Sequence, residues 1–350
     1  VQSFRKEGIT MKNKKFASFL AAAAALVLLA MPAFAADEQA ELPAAEAAEV
    51  QQEQAAAPAD AQTAGEPEPQ LTYVALGDSI TSGVGLADMK YNIAQIGYDL
   101  QPNFEGYPSQ CYTALVGKGL GLDRQHAINL GLPGLMSPDM LDMVQNSAMP
   151  KMNQASGSYY VYPEYQEYLR KADIISIQIG SNDAFVPCVA GLWNATNHKS
   201  DALASTILSG NLRTSGSAVS TILKGIKDME LTKEEKNASW KLITSDMAKI
   251  CDRIYPQTTS ALISIVQEIR KLNPDVQILL MGYTDPVPFI PCWHNYFRKL
   301  NKFEKQLAET YDLTYVAIPK AKTDLDVHPT IKGHEYIANK IVNAIDVKTE

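Results

Sequence analysis

Ser79 lies directly behind a short apolar run, in the stretch YVALGDSITSGVG that spans Tyr73–Gly85. A serine at this place is either a helix N-cap, for which Ser and Asp are preferred, or a displayed nucleophile. A serine nucleophile needs a base that takes its proton, and histidine suits that role near neutral pH. His328, in the stretch DLDVHPTIKGH at residues 324–334, is the candidate base.

Carboxylates beside His328 offer the orienting partner that a catalytic imidazole requires on its other nitrogen. In a locally extended loop, alternation of side chains places Asp326 and Asp324 on the same side as His328. Val327 and Leu325 then face the apolar layer. Asp326 is the favoured partner because it is nearer. Asp324 and a backbone carbonyl remain alternatives.

Donors for an oxyanion follow two further apolar runs. Gly134 closes NLGLPG in a tight turn, and Asn182 lies in GSND at residues 180–183. In an open parallel sheet, ligands bind outside the carboxyl ends of the strands, so these residues and Ser79 share one edge. The Ser79 N–H, the Gly134 N–H and the Asn182 amide are three donors that a tetrahedral intermediate can use.

The elements that must position these residues alternate along the chain. Strands are predicted at Leu71–Leu76, His126–Leu130, Asp173–Ile179, Gln277–Gly282 and Leu313–Ile318. Helices are predicted near Tyr112–Gly119, Ser137–Gln145, Tyr162–Lys171, Thr258–Lys271, Trp293–Tyr311 and Pro329–Ile345. This order predicts an α/β fold, a doubly wound three-layer α/β/α sandwich with a parallel sheet of about five strands.

The interval between Asp183 and Gln277 is too long for a single crossover helix, because about ninety residues lie there. Its helical composition predicts a helical insertion at about 185–256. The insertion is either a lid over the site or a packing decoration of the sheet edge.

The N-terminal part of the chain has the composition of a targeting segment. Met11 opens a run with lysines, then an Ala/Leu-rich core, then Ala33-Phe34-Ala35, which is typical of a cleaved secretory signal peptide. An uncleaved membrane anchor is the alternative. The chain is therefore divided into an upstream extension at 1–10, a signal peptide at 11–35, a disordered Ala/Glu/Pro-rich linker at 36–70 and one domain at 71–350.

Charge and cysteine usage exclude some function classes. The chain carries a net charge of −8, but nine acids and no base lie in residues 36–70, and residues 71–350 carry only −3. No basic stripe indicates nucleic-acid binding. Cys111, Cys188, Cys251 and Cys292 form no C-x-x-C motif, so zinc is not expected. They allow two disulfides in three pairings, or four free thiols.

Four blocks, GDSI, NLGLPG, GSND and DVHP, follow one another in this order. Together they resemble the sequence blocks of the SGNH hydrolases, the GDSL-type esterase and lipase family. The resemblance implies a flavodoxin-like sandwich, no metal or other cofactor, and ester hydrolysis through an acyl-enzyme. It implies that Ser79 is the nucleophile, His328 the base, and Ser79, Gly134 and Asn182 the oxyanion hole.

Two positions depart from the family pattern. Ile80 stands where the family name has leucine, which is a harmless apolar exchange. The family's acid usually precedes the histidine by three residues, and Leu325 occupies that position here. Asp326 is one residue nearer to His328, so we assign it as the catalytic acid and keep Asp324 as the alternative.

The expected function is that of a secreted or cell-surface serine esterase acting on short acyl esters, with acetyl groups on carbohydrate favoured. A lipase or lysophospholipase-type enzyme is the first alternative, and a non-catalytic glycan-binding module is the second. The expected partner is a small-molecule or polymer-borne ester, with no nucleic acid and no stable membrane insertion after cleavage. The oligomeric state is left open.

Overall fold

The computed structural model describes residues 70–86, 107–150, 159–161, 164–200, 218–286, 288, 290–323 and 328–345. The expected signal peptide and nearly all of the linker, the candidate acids Asp324 and Asp326, and part of the expected insertion lie outside these residues. Among the described residues, no helix combines the length and the apolar composition needed to cross a membrane.

A parallel five-stranded sheet forms the centre of the domain. Its strands are β1 (Tyr73–Gly77), β2 (Ala127–Gly131), β5 (Ile174–Gln178), β6 (Gln277–Met281) and β7 (Thr314–Val316). The spatial order is β2-β1-β5-β6-β7. In this doubly wound order, ligands bind at the carboxyl ends of β1 and β5, where the strand order reverses. The predicted fold class and all five predicted strands are confirmed.

A second, two-stranded sheet was not predicted. The short strands β3 (Ala148–Pro150) and β4 (Tyr159–Val161) pair antiparallel beside the main sheet. Each has only three residues, which is too short for an alternating pattern to show in the sequence.

Ten helices surround the main sheet in the described part of the chain. They are α1 (Ser79–Ser82), α2 (Tyr112–Gly119), α3 (Ser137–Asn146), α4 (Tyr165–Lys171), α5 (Ser181–Ala195), α6 (Ala218–Asp228), α7 (Lys233–Lys241), α8 (Met247–Leu272), α9 (Pro291–Tyr311) and α10 (Ile331–Val342).

Alternating side chains of the sheet build two apolar layers. Val74 and Leu76 of β1 face a large layer with α3, α4, α5, α8 and α9, whereas Tyr73 and Ala75 face a smaller layer with α2 and α10. Successive side chains of a strand point to opposite faces, so both faces of a central strand are buried. The carboxyl ends of the strands stay open at one edge.

The predicted insertion merges with the large apolar layer. Leu242 and Ile243, in a π-helical turn between α7 and α8, pack in the main core together with Met247. Helix α8 runs without interruption through Pro256, where the sequence predicted two helices. Proline costs a helical hydrogen bond, but buried residues on both sides of it, such as Cys251 and Thr258, hold α8 to its neighbours.

All four cysteines are free thiols. Cys111 lies at the start of α2 and packs with Leu86 and Tyr107, apart from the other three. Cys251 contacts both Cys188 and Cys292, at the meeting point of α5, α8 and α9. A framework of two disulfides is therefore not formed, because Cys111 has no cysteine near it.

Candidate active site

Ser79 opens the helical turn α1 at the carboxyl end of the central strand β1. The side chain of Asp78 caps this turn, accepting a hydrogen bond from the Ile80 N–H at 2.9 Å. Gly83 ends the turn at φ +82°. Ser79 is 7% exposed. The serine is thus held at the edge of the sheet by the residue before it, and Asp78 rather than Ser79 is the N-cap.

The turn packs closely on β1 and β2 because two glycines leave room for it. A Cβ on Gly131 would lie 2.6 Å from the Ser82 nitrogen, and a Cβ on Gly77 would collide with Thr81. Any side chain at these two positions would push the turn that contains Ser79 away from the sheet.

Asn129 fixes the same turn from β2, and the sequence analysis did not identify it. Its amide donates to the Thr81 carbonyl at 2.8 Å, and its oxygen accepts from the Gly131 N–H at 2.9 Å. The available signal was a polar residue in the middle of an otherwise apolar strand.

Asp78 joins three strand ends. Its second oxygen accepts hydrogen bonds from the Ser181 hydroxyl at 2.7 Å and from the Tyr283 hydroxyl at 3.0 Å. Burial raises the pKa of Asp78, while the bonds from Ser181, Ile80 and Tyr283 and the nearby His328 lower it. Tyr283, which follows β6, was also missed, although its position directly after a predicted strand is the same signal that placed Ser79 and Asn182 at this edge.

Asn182 lies in the first turn of α5, after Gly180 at φ +122°. Its amide donates to the Leu135 carbonyl at 3.0 Å, in the loop that contains Gly134 at φ +77°. A primary amide has two donor hydrogens, so one remains for a substrate. Asn182 lines the same cavity as Ser79, whereas Gly134 does not line it and lies beside the contacted Leu135.

Asp183 anchors the Gly134 loop to α5 and α8. It is buried and accepts hydrogen bonds from the Ser137 N–H at 2.9 Å, from the Ser137 hydroxyl, and from the Thr258 hydroxyl at 3.0 Å. Burial raises the pKa of Asp183, and these bonds lower it. In the sequence, Asp183 is visible only as part of GSND, and this contact was not predicted.

His328 lies on the loop that enters α10 and is 4% exposed. A bridge between Thr323 and Pro329 closes this loop, and Thr330 caps α10 by accepting from the Gly333 N–H at 3.2 Å. His328 lines the same cavity as Ser79 and Asn182. The contact of Asp326 or Asp324 with His328 stays a prediction, since both acids lie outside the described residues.

The cavity over Ser79 encloses about 490 Å³, counting the space at its open mouth. Phe185, Phe297, Ile318 and Ile337 contribute its apolar wall, and polar groups of Ser79, Asn182, Tyr283 and His328 converge on it. A small apolar group bound here would lie next to the serine and the histidine.

The remaining histidines have other contacts. His334 is buried and accepts a hydrogen bond from the Tyr112 N–H at 3.2 Å. His126 and His294 lie within hydrogen-bonding distance of aspartates at the surface. The His198 ring contacts the Trp193 ring in the insertion, with the two ring planes tilted by 59°. Within the described ranges, no group of three or more His, Cys, Asp or Glu side chains is placed to hold a metal ion.

The chain matches the model of the GDSL-like Lipase/Acylhydrolase family over residues 75–336. No curated protein matches it. Among solved structures, it is similar to the lipase Lip_vut3 from a goat rumen metagenome, with a TM-score of 0.45 and 16% identity over 80% of this chain and 100% of that chain.

Two further solved structures show the same level of similarity. One is phospholipase A1 from Streptomyces albidoflavus NA297, with a TM-score of 0.42 and 15% identity over 79% of this chain and 100% of that chain. The other is a catalytic mutant of Axe2, an acetylxylan esterase from Geobacillus stearothermophilus, with a TM-score of 0.40 and 16% identity over 79% and 95% of the two chains.

Proposed function

Because this chain belongs to the GDSL-like lipase/acylhydrolase family and is a carboxylic ester hydrolase, we propose that Ser79 is its nucleophile and His328 its base. The observation that carries the proposal is their shared cavity at the carboxyl edge of the sheet, which Asn182 also lines. A serine and a histidine facing one cavity are the groups that acyl transfer requires.

The reaction proceeds in two halves. His328 takes the hydroxyl proton while Ser79 Oγ attacks the ester carbonyl carbon, and the oxyanion accepts hydrogen bonds from the Ser79 N–H, the Gly134 N–H and the Asn182 amide. Collapse expels the alcohol, which takes the proton from His328. Water then attacks the acyl-Ser79 ester while His328 takes its proton, and the acid is released as His328 returns that proton to Ser79 Oγ.

Asp326 orients His328 in this proposal, and Asp324 is the alternative. The carboxylate would accept from the imidazole nitrogen that does not face Ser79, and it would stabilise the imidazolium formed in each half-reaction.

We further propose that the acyl group is short, with acetyl esters of carbohydrate as the favoured substrates. The proposed export of the enzyme supports this substrate class. The apolar wall supports an alkyl group in place of a polar one. Esters of longer fatty acids are the second candidate, favoured by the same apolar wall.

Export of the enzyme is a separate proposal, with the mature chain starting near Ala36. It is supported by the lysines, the apolar run and the Ala33-Phe34-Ala35 site, which have the order of a signal peptide. The intact mass of the exported form measures this directly, and a retained Met11–Ala35 segment would refute cleavage.

The test compares wild type, Ser79→Ala and Ser239→Ala on nitrophenyl acetate, butyrate and octanoate, and on an acetylated oligosaccharide. Ser239 is a buried serine of α7 and serves as the matched control. We expect Ser79→Ala to lower turnover by about 10⁴- to 10⁶-fold, as loss of a serine nucleophile does, while Ser239→Ala retains it. A fluorophosphonate probe should label all but Ser79→Ala.

Three results would contradict the proposal. If turnover is retained in Ser79→Ala, Ser79 is not the nucleophile. If nitrophenyl octanoate is hydrolysed faster than nitrophenyl acetate, the substrate is a lipid-type ester and not a short-acyl ester. A wild type that neither turns over nor takes the probe supports the glycan-binding alternative.

A further inference from the structure

Ser79 and Asn182 are two members of the proposed oxyanion hole. The residue before Ser79 and the residue before Asn182 are hydrogen-bonded to each other. Asp78 lies before Ser79, Ser181 lies before Asn182, and the Ser181 hydroxyl donates to the Asp78 carboxylate at 2.7 Å. Residues 78 and 181 are far apart in the chain, and both are buried. This bond ties the carboxyl end of β1 to that of β5, across the point where the sheet order reverses.

Tyr283 completes the arrangement from a third strand end. Its hydroxyl donates to the same Asp78 oxygen at 3.0 Å, and it is buried. Its backbone is held by Asn301 of α9, whose oxygen accepts from the Tyr283 N–H at 2.7 Å and whose amide donates to the Tyr283 carbonyl at 2.9 Å. The Tyr283 ring also packs against Phe297, with ring centres 5.6 Å apart.

The Asp78 carboxylate therefore accepts three hydrogen bonds. One oxygen accepts from the Ile80 N–H, which fixes the backbone around Ser79, and the other accepts from the Ser181 and Tyr283 hydroxyls. A carboxylate held from three directions has one orientation. Oxyanion donors must keep their geometry within about 0.5 Å to be effective, and a rigid Asp78 supplies that constraint.

We propose that Ser181 and Tyr283 are positioning residues that act through Asp78, setting the distance between the Ser79 N–H and the Asn182 amide. The proposal rests on the proposed function of Ser79 and Asn182. Neither hydroxyl is assigned a bond to the substrate. Both act on the transition state by holding the two donors at the spacing that the oxyanion requires.

The Tyr283→Phe variant tests this directly, because it keeps the ring packing and the backbone bonds to Asn301 and deletes only one hydroxyl. We expect kcat for nitrophenyl acetate to fall about tenfold with KM within about twofold, since a misplaced donor weakens only the transition state. Ser181→Ala should give the same pattern. The matched control is Tyr107→Phe, which deletes a buried hydroxyl that donates to the Ala127 carbonyl at 2.7 Å.

The double variant separates a joint role from two independent ones. If both hydroxyls act through Asp78, the combined loss of kcat should stay near tenfold instead of reaching the product of about a hundredfold. Urea unfolding of each variant measures whether the fold is retained. Should Tyr283→Phe fail to fold, Ser181→Ala alone carries the kinetic test.

The outcomes distinguish this inference from the proposed function. A wild type whose turnover does not depend on Ser79 overturns the proposed function. The positioning role is overturned if wild-type turnover depends on Ser79 but the Tyr283→Phe and Ser181→Ala variants fold and have the same kcat as Tyr107→Phe. A rise in KM with unchanged kcat also overturns it, because the hydroxyls would then bind the ground state.

Discussion

Asp78 shows how much a single residue beside Ser79 can determine. Its side chain caps α1, so the hydroxyl of Ser79 is not needed for capping and stays available at the cavity. Its remaining lone pairs bind the hydroxyls of Ser181 and Tyr283. This contact shows that Ser79 is not the N-cap, and its role as nucleophile stays a prediction.

The acid beside His328 is the second question at the scale of residues. We predict that Asp326→Asn lowers kcat by about 10⁴-fold, as loss of the correct tautomer does in serine–histidine systems. Asp324→Asn is the matched control and should cost far less, because it lies two residues farther from His328. Steady-state turnover of both variants on nitrophenyl acetate is the measurement.

A reversed order of the two effects would assign Asp324 as the acid. If neither variant loses activity, a backbone carbonyl orients the imidazole and both carboxylates are dispensable.

At the scale of elements, the site depends on contacts between segments that end at the same edge of the sheet. The loop between β2 and α3 contains Gly134, and Asn182 and Asp183 at the start of α5 hold that loop through Leu135 and Ser137. Helix α8 adds a bond from Thr258 to Asp183. The position of the Gly134 N–H is thus a property of three elements together.

Asp183→Ala should therefore destabilise the fold by about 3 kcal/mol, because it leaves buried donors of Ser137 and Thr258 without their acceptor. Urea unfolding measures the loss as a lower transition midpoint. The control is Asp252→Ala, which removes an exposed ion pair with Lys299 and should cost less than about 1 kcal/mol. Equal losses in the two variants would show that the Asp183 contacts contribute little.

At the scale of the whole molecule, two apolar layers enclose the sheet, and one of them contains a carboxyl group. Glu304 of α9 is fully buried, and neither of its side-chain oxygens has a hydrogen-bond partner in the described structure. Burial raises the pKa of Glu304 well above its ordinary value. The folded protein therefore holds a proton on Glu304 to higher pH than the unfolded chain does.

This proton makes stability depend on pH. A pKa that is higher in the folded state gives a contribution that is complete below the ordinary glutamate pKa and is lost progressively as pH rises above it. Between pH 5 and 8, we predict that the free energy of unfolding decreases with pH more steeply for wild type than for Glu304→Leu. The two slopes should differ by at most about 1.4 kcal/mol per pH unit. Urea unfolding at several pH values is the measurement.

Glu304→Leu should also be more stable than wild type at pH 8, and Glu304→Gln should share its flatter profile, since neither side chain titrates. The control Glu309→Gln changes an exposed residue of the same helix and should keep the wild-type slope. Identical slopes for wild type and Glu304→Leu would contradict the prediction.

The sheet and the main catalytic candidates could be read from the sequence alone. Five apolar runs predicted the five strands, since burial on both faces leaves a continuous local pattern. The polar residues that follow those runs placed Ser79, Asn182 and His328 at one edge, because parallel strands bring their carboxyl ends together. The local residue pattern and this topological rule were sufficient to predict the five strands and the edge at which these three residues lie.

Only the tertiary structure decided which polar groups are bonded to one another. Tyr283 and Ser181 meet Asp78 across more than a hundred residues of chain, and Asn129 holds Thr81 from a neighbouring strand. Glu304 lies on the apolar face of α9 with Leu300 and Leu307, and only the packing shows that its carboxyl group is fully enclosed there. Such contacts depend on how the elements pack in three dimensions, and a linear pattern of residue types carries no record of that packing.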